Sequence, residues 1–270
     1  MWIPTCSRNH RIRAGTQELY KTDGDFLSND DGYLASGINA LIDVLRPYGD
    51  LFVMAPDGSR SGQSSACTFD VPVRYRIRRQ EPGLTVYSCS GTPVDCIKLA
   101  LFLLGERRPQ LVISGINHGD NSAVNAHYSG TVGIVKEGCI NGIPSIAFSL
   151  DDHSADADFS ATAPYVERIV GHALQHGLPR GTYLSVNFPC QAPYRGVRVC
   201  HMAMGCWQHE WDRRPHPRGG EYFWLTGDFR LDADNGNADR QAVADGFVAI
   251  TPLRLDDTDY DYMAELSNLF

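Results

Sequence analysis

A chain of 270 residues with a formal net charge of -8 is long enough to bury a full core, and too acidic to hold nucleic acid through its backbone, which takes a basic face. Apolar residues make up 43% of it, and no uninterrupted run approaches the roughly 18 residues that a membrane-spanning helix takes. The eight cysteines are scattered rather than grouped: they read as reduced, mostly buried small hydrophobes, and Cys200 and Cys206 lack the spacing of a zinc site.

The opening stretch MWIPTCSRNHRIRAGTQ is basic without an apolar centre, so no secretory signal is read there and a cytoplasmic setting is expected. Next, a short apolar stretch, roughly DFLS, runs into the turn SNDDG at residues 28–32. DLFVMAP (50–56), QLVISG (110–115), IPSIAFSL (143–150) and TYLSVNFP (182–189) read as buried strands that end in turn residues. Between them SGINALIDVLRPYG, PVDCIKLALFLLG and GTVGIVKEGCING place apolar residues three and four apart, each segment closed by glycine, as amphipathic helices do. RYRIRR (74–79) alternates with period two and reads as the solvated face of a strand. Strand and helix in alternation imply an α/β fold, with a mostly parallel sheet covered by helices on both faces. After about residue 195 the pattern changes. HMAMGCWQHEWDRRPHPRGGEYFWLTGDF is aromatic, polar and broken by Pro and Gly, and reads as a β-hairpin excursion before a returning strand, GFVAITPL, and a short polar carboxyl terminus.

Polar clusters follow the strands. Asp30 and Asp31 come after the first, PDGSRSG with Ser61 after the second, and SGINHGDN with Asn117 after a later one. Parallel strands end on the same edge of a sheet, so the three clusters are expected to collect there. Adjacent carboxylates in a tight turn repel unless a cation neutralises them. Two carboxylates, a hydroxyl and an amide make an oxygen-only set, suited to Mg²⁺ or Mn²⁺ and offering nothing soft for zinc or copper. YSGTV (128–132) opens a helix whose free N–H groups make an anion site. A metal beside an anion hole describes a site for a phosphate monoester. Each feature also has a plainer reading: a solvated turn for NDDG, a loop serine for Ser61, a turn-forming amide for Asn117, a helix cap for SGT. His201, His209 and His216 fit no usual ligand spacing and read as surface or hairpin packing; His118 and His127 flank the site as candidate substrate contacts.

Taken together, LSNDDGYLASGINAL, VMAPDGSRSGQS, SGTPVDCIKLAL, LVISGIN, YSGTV with KEG, and GFVAITPL resemble the SurE family of metal-dependent 5'/3'-nucleotidases, in the family's order and spacing from about residue 26 to 253. The resemblance implies a Rossmann-like domain with a carboxyl-terminal extension used for dimer and tetramer formation. It implies a hydrolase that removes phosphate from nucleoside monophosphates, as 5'-nucleotidases do, with short polyphosphate a substrate of some members. Matched motif by motif, it implies one divalent ion per subunit, magnesium or manganese, held by Asp30, Asp31, Ser61 and Asn117. Asp30 and Asp31 are the candidate catalytic groups, and which of them accepts the proton stays open. Asn29, Gly91, Thr92, Ser129, Gly130 and Thr131 match residues around the phosphate. The implied partners are the nucleotide and further copies of the chain, a homo-oligomer, with no nucleic-acid backbone and no membrane.

The implied domain organisation is an atypical extension at 1–25, a catalytic core at 26–200, and an oligomerisation arm, returning strand and carboxyl-terminal segment at 201–270. The chain departs from the pattern in three places. About 25 residues precede SNDDG where members have a few apolar ones, so the first strand is expected to be weak or lost, and a catalytically impaired nucleotide-binding protein is the alternative reading. Ser122 and Ala123 stand where the family often has glycine, so a different path is expected for the loop that bears Asn117. The late arm lacks some family residues. A phosphatase working through an aspartyl phosphate is disfavoured, because its DxD pair is absent and the carboxylates here are adjacent.

Overall fold

Burial with period two sets the architecture. Phe26 and Leu27, Val53 and Met54, Val112 and Ile113 are sequence neighbours that divide between two separate apolar cores. Strands buried on both faces need helices on both. The structure, a computed structural model, describes residues 22–232 and 236–270. Its strands in chain order are β1 (Thr22–Ser28), β2 (Gly49–Pro56), β3 (Tyr75–Glu81), β4 (Leu84–Cys89), β5 (Val112–His118), β6 (Ser145–Leu150), β7 (Thr182–Phe188) and β8 (Val197–Val199). Four short strands follow, β9 (Gly205–Gln208), β10 (Trp211–Pro215), β11 (Glu221–Leu225) and β12 (Asp228–Leu231), and then β13 (Val248–Arg254). Nine of these form one sheet in the order β3-β4-β2-β1-β5-β6-β7-β13-β8. From β4 across to β7 the neighbours are parallel; β3 and β13 run antiparallel to β4 and β7.

Helices α1 (Ser36–Leu45) and α4 (Ala163–His176) cover one face, where Ile38, Leu41, Val166 and Ile169 share a core with Leu27 and Ile113. Helices α2 (Pro93–Leu104) and α3 (Gly130–Ile140) cover the other, with Ile97, Ala100, Val132 and Val135 against Phe26 and Met54. The short α5 (Asp239–Ala244) leads into β13, and α6 (Tyr260–Ser267) follows it. The strands and helices expected from periodicity are all present; β4, β8, α4 and α5 come in addition to them. Arg74 precedes β3, and β3 is indeed an exposed edge strand.

The first strand corrects the sequence reading. β1 is seven residues long and lies in the middle of the sheet, paired in parallel to β2 and β5. Its start is irregular, with pairing that slips between Thr22 and Asp25 and Gly24 at φ +111. Partners on both sides outweigh the poor strand propensity of Gly24 and Asp25. The proposed segment 1–25 otherwise lies mostly outside the described residues.

The excursion is two ladders rather than one hairpin. β9 pairs with β12 at the root and β10 with β11 at the tip. At the root, Phe229 and Leu231 pack on Ala123, Ala203 and Ala238, so this part folds back on its own chain. The tip leaves Trp211, Phe223 and Trp224 more than half exposed. The carboxyl terminus expected to be polar forms α6, capped by Asp259, which accepts from Tyr262 N–H at 2.9 Å; Tyr260, Tyr262 and Met263 are exposed on it. Among the described residues no helix is long and apolar enough to cross a membrane.

Candidate active site

Three loops leave the carboxyl ends of β1, β2 and β5 and are tied to one another through bonds to their backbones. After β1, Asn29 closes the NDDG turn: its Nδ2 donates to Gly32 O and its Oδ1 accepts from Gly32 N–H, both at 3.1 Å. Gly32 sits at φ +106, where a side chain is strained, and a Cβ there would lie 3.3 Å from Gly58 of the next loop. Arg60 N–H donates to Asp30 O at 2.7 Å and draws the Ser61 loop over the turn. Ser64 then ties that loop to the approach to α3, with its N–H on Tyr128 O (3.0 Å) and its hydroxyl on His127 O (2.6 Å). Asn117 lies at the end of β5 rather than beyond it, where the β5–β6 register slips between Ser114 and Asn117 and re-aims the chain. Helix α1 presses on this segment so closely that a Cβ at Gly37 would be 1.8 Å from Ile116 O.

Asp30 is 3% exposed and receives the Thr131 hydroxyl and the Thr131 backbone N–H. Burial, and after it the charge of Asp31, pushes its carboxyl up to about 6 despite those bonds. Asp31 is half-buried and is also raised, chiefly by burial; His118 N–H donates to its Oδ2 at 3.1 Å, and the charges of His118 and His153 act in the opposite direction. Helix α3 begins hard against Asp30: a Cβ at Gly130 would lie 2.8 Å from the Asp30 Cβ and 2.9 Å from both its Oδ2 and Pro93. Ser129 caps α3, its Oγ accepting from Val132 N–H at 3.1 Å.

Asp30, Ser61, Asn117 and Ser129 line one cleft of about 610 Å³. Asp31, next to Asp30, is turned to His118 N–H just outside that lining, and Gly130 packs against Asp30; the remaining expected residues are spent on structure. Asn29 and Thr131 are fully buried, holding the turn and Asp30 respectively. Gly91 and Thr92 form the start of α2, where Thr92 makes a capping box with Asp95 and donates its hydroxyl to Ala66 O at 2.6 Å. Of the flanking histidines, His118 lines the cleft and meets Phe159 edge-on at 4.9 Å, whereas His127 is exposed. His201, His209 and His216 are spent separately: His201 on Met202 O, His209 near Asp228, and His216 accepting from Arg218 N–H.

Sequence reading missed much of the cleft wall. Arg240, at the start of α5, pairs with Asp120 at 2.5 Å and approaches Asp151 at 3.7 Å. Next to it Asp239 is buried and accepts from the N–H groups of Ala123 (3.1 Å), Ala203 (2.9 Å) and Arg240 (2.8 Å), so one carboxylate joins the site loop to the root of the arm. Asp120 stands within the SGINHGDN cluster and carried a local signal; Arg240, far along the chain, carried none.

The donor set fits a hard cation. Asn117 Nδ2 donates to His118 O and to Gly119 O at 2.8 Å, which leaves Oδ1 as its acceptor for a ligand. With the two repelling carboxylates and Ser61 Oγ, every donor is oxygen. Among the described residues no cluster of three or more His, Cys, Asp or Glu offers a rival centre.

Such a fold and site define an α/β protein of the open-sheet class, with an acidic cleft at the carboxyl edge of its parallel strands. A family model described as survival protein SurE matches residues 26–209, and the chain belongs to that family. It is 56% identical over 243 residues to the 5'-nucleotidase SurE of Phocaeicola vulgatus, covering 90% of this chain and 95% of that protein. It is 52% identical over 242 residues to the protein of that name from Bacteroides thetaiotaomicron, covering 89% and 93%. The crystal structure of the SurE protein from Aquifex aeolicus superposes with a TM-score of 0.78 at 35% identity, over 91% of this chain and 99% of that one.

Proposed function

We propose that the protein is a divalent-metal-dependent 5'-nucleotidase that hydrolyses nucleoside monophosphates to nucleoside and phosphate. The observation that carries this reading is the convergence of Asp30, Ser61, Asn117 and Ser129 on one cleft beside the start of α3. Relatives at 56% and 52% identity bear the name of that activity. Asp30, Asp31, Ser61 and Asn117 would hold one magnesium or manganese ion, which would supply neutralising charge for the phosphoryl group and a more acidic water. The chain's own part is electrostatic and positional. The N-terminus of α3 directs its dipole at the phosphate, with Ser129 and Gly130 on the approach. Thr131 holds the Asp30 carboxylate in place, and the backbone of His118 holds Asp31. One of this pair accepts the proton from the attacking water. The central, doubly paired β1 favours catalysis over the silent binding module, whose premise was a damaged first strand.

Chelation by excess EDTA abolishes hydrolysis of adenosine 5'-monophosphate, and Mn²⁺ or Mg²⁺ restores it, with Zn²⁺ a poor substitute for want of nitrogen or sulfur ligands. Full activity in EDTA would end the metal reading. The exposed aromatics of the arm tip favour a homo-oligomer, a dimer or tetramer, because aromatic side chains are enriched at interface centres. Sedimentation above monomer mass at micromolar concentration is the expected result, and replacing 211–225 with a short glycine linker lowers it.

A further inference from the structure

The root of the arm does something besides projecting the tip. Trp207, Leu225, Thr226, Gly227 and Phe229 all line the cleft that holds Asp30 and Ser129, opposite in sequence to every motif of the phosphate site. Trp207 on β9 and Phe229 on β12 are register partners, with rings 5.5 Å apart at 62°. The indole is fixed in orientation, its Nε1–H donating to Asn125 Oδ1 at 2.9 Å. The turn that returns the chain is tight: Gly227 is at φ +124, and a Cβ there would lie 2.7 Å from Gln208 O. The ladder is also anchored, because Asp239 bonds the Ala123 N–H of the site loop and the Ala203 N–H just before β9. An aromatic surface is therefore anchored on the same cleft as Asp30 and Ser129.

Charge along the cleft narrows the ligand. Its lining carries the carboxylates Asp30, Asp120, Asp151 and Glu210 against a single guanidinium, Arg240, already engaged by Asp120 and Asp151. One phosphate beside the metal set is accommodated, whereas a run of further phosphates would meet carboxylates. A neutral planar group meets rings.

We propose that the Trp207–Phe229 ladder is a nucleobase platform supplied by the same chain, with Trp207 the residue that sets the preference for a nucleotide over a sugar phosphate lacking the base. The inference rests on the phosphomonoesterase reading for its phosphate end and adds the base end. Base–aromatic stacking is tolerant of base identity, so the platform serves purines and pyrimidines with purines preferred.

The test compares wild type, Trp207→Ala and Trp207→Phe in Mn²⁺ on adenosine 5'-monophosphate and ribose 5-phosphate, with adenosine binding by equilibrium dialysis in parallel. Trp207→Ala raises KM for the nucleotide about tenfold or more with kcat little changed, and leaves kcat/KM for ribose 5-phosphate within about twofold. Trp207→Phe keeps most of the nucleotide affinity, and adenosine binding weakens in the same order as KM. Parallel losses on both substrates, or an unchanged nucleotide KM, would overturn the platform. Should Trp207→Ala unfold, Trp207→Phe and the adenosine affinity of wild type decide: no detectable adenosine binding by wild type overturns it. Wild type that hydrolyses neither phosphate yet binds adenosine through Trp207 would refute the phosphatase reading alone.

Discussion

Asp25 lies inside β1, where its irregular start ends, and Asp30 lies in the turn beyond its carboxyl end; both are buried and both have carboxyls pushed above the ordinary range by desolvation, Asp25 to about 7 and Asp30 to about 6. Their surroundings differ. Asp25 accepts one bond, from Leu111 N–H at 3.2 Å, beside a hollow of about 210 Å³ at the amino edge of the sheet that is lined by Asp50, Phe52 and Arg108. Asp30 meets a second carboxylate, a threonine hydroxyl, a helix start and a neighbouring loop, each from a different part of the chain. A displaced pKa by itself therefore does not mark a site. What marks one is convergence, since parallel strands deliver their following loops to the carboxyl edge, where the residues are free to vary from packing.

The comparison breaks first at the carboxyl edge. Asp30→Asn or Asp31→Asn lowers metal-dependent phosphomonoesterase activity on the order of 10³-fold or more while the melting temperature in EDTA holds or rises, since each change removes one of two repelling charges. Near wild-type turnover by both variants would sink the ligand assignment. Gly130→Ala comes next. The added methyl has no room between Asp30 and Pro93, so Asp30 or the start of α3 shifts and kcat/KM falls on the order of 10- to 100-fold. Retained activity would show that the close approach of helix and carboxylate is not needed.

At the amino edge the effect is on stability alone. Asp25 titrates near 3.8 when unfolded and at about 7 when folded, so below about pH 4 both states hold the proton and the residue costs nothing. As pH rises from 4 to 7 the unfolded chain ionises first and stability drains away, and above about 7 the full cost remains. Asp25→Asn keeps an acceptor for Leu111 N–H and removes that cost. It should stabilise the protein on the order of 3–4 kcal/mol at pH 8, with the gain vanishing toward pH 4 and no change in KM. Denaturant unfolding at the two pH values measures it, and a gain independent of pH would contradict the buried-acid account.

Much of this was legible before any coordinates. Strands at 50–56, 143–150 and 182–189, and the three helices closed by glycine, follow from apolar spacing, because burial on one or both faces writes itself into a local period. The gathering of Asp30, Ser61 and Asn117 was legible for a related reason, since strand direction alone places loop clusters on one edge. Strand β1 was misjudged because its stability lies in partners on both sides, not in its own residues.

Sequence by itself thus determined the alternating α/β plan and the oxygen-rich edge, both of which arise from short-range pattern and chain direction. Tertiary structure alone decided that the Thr92 hydroxyl is spent on Ala66 O and that of Thr131 on holding Asp30, that Asp239 and Arg240 reach the cleft from far along the chain, and that the arm splits into a root against its own domain and an exposed tip. A donor's bonding capacity is finite, and which acceptor uses it is settled by distances across the fold that no local period records.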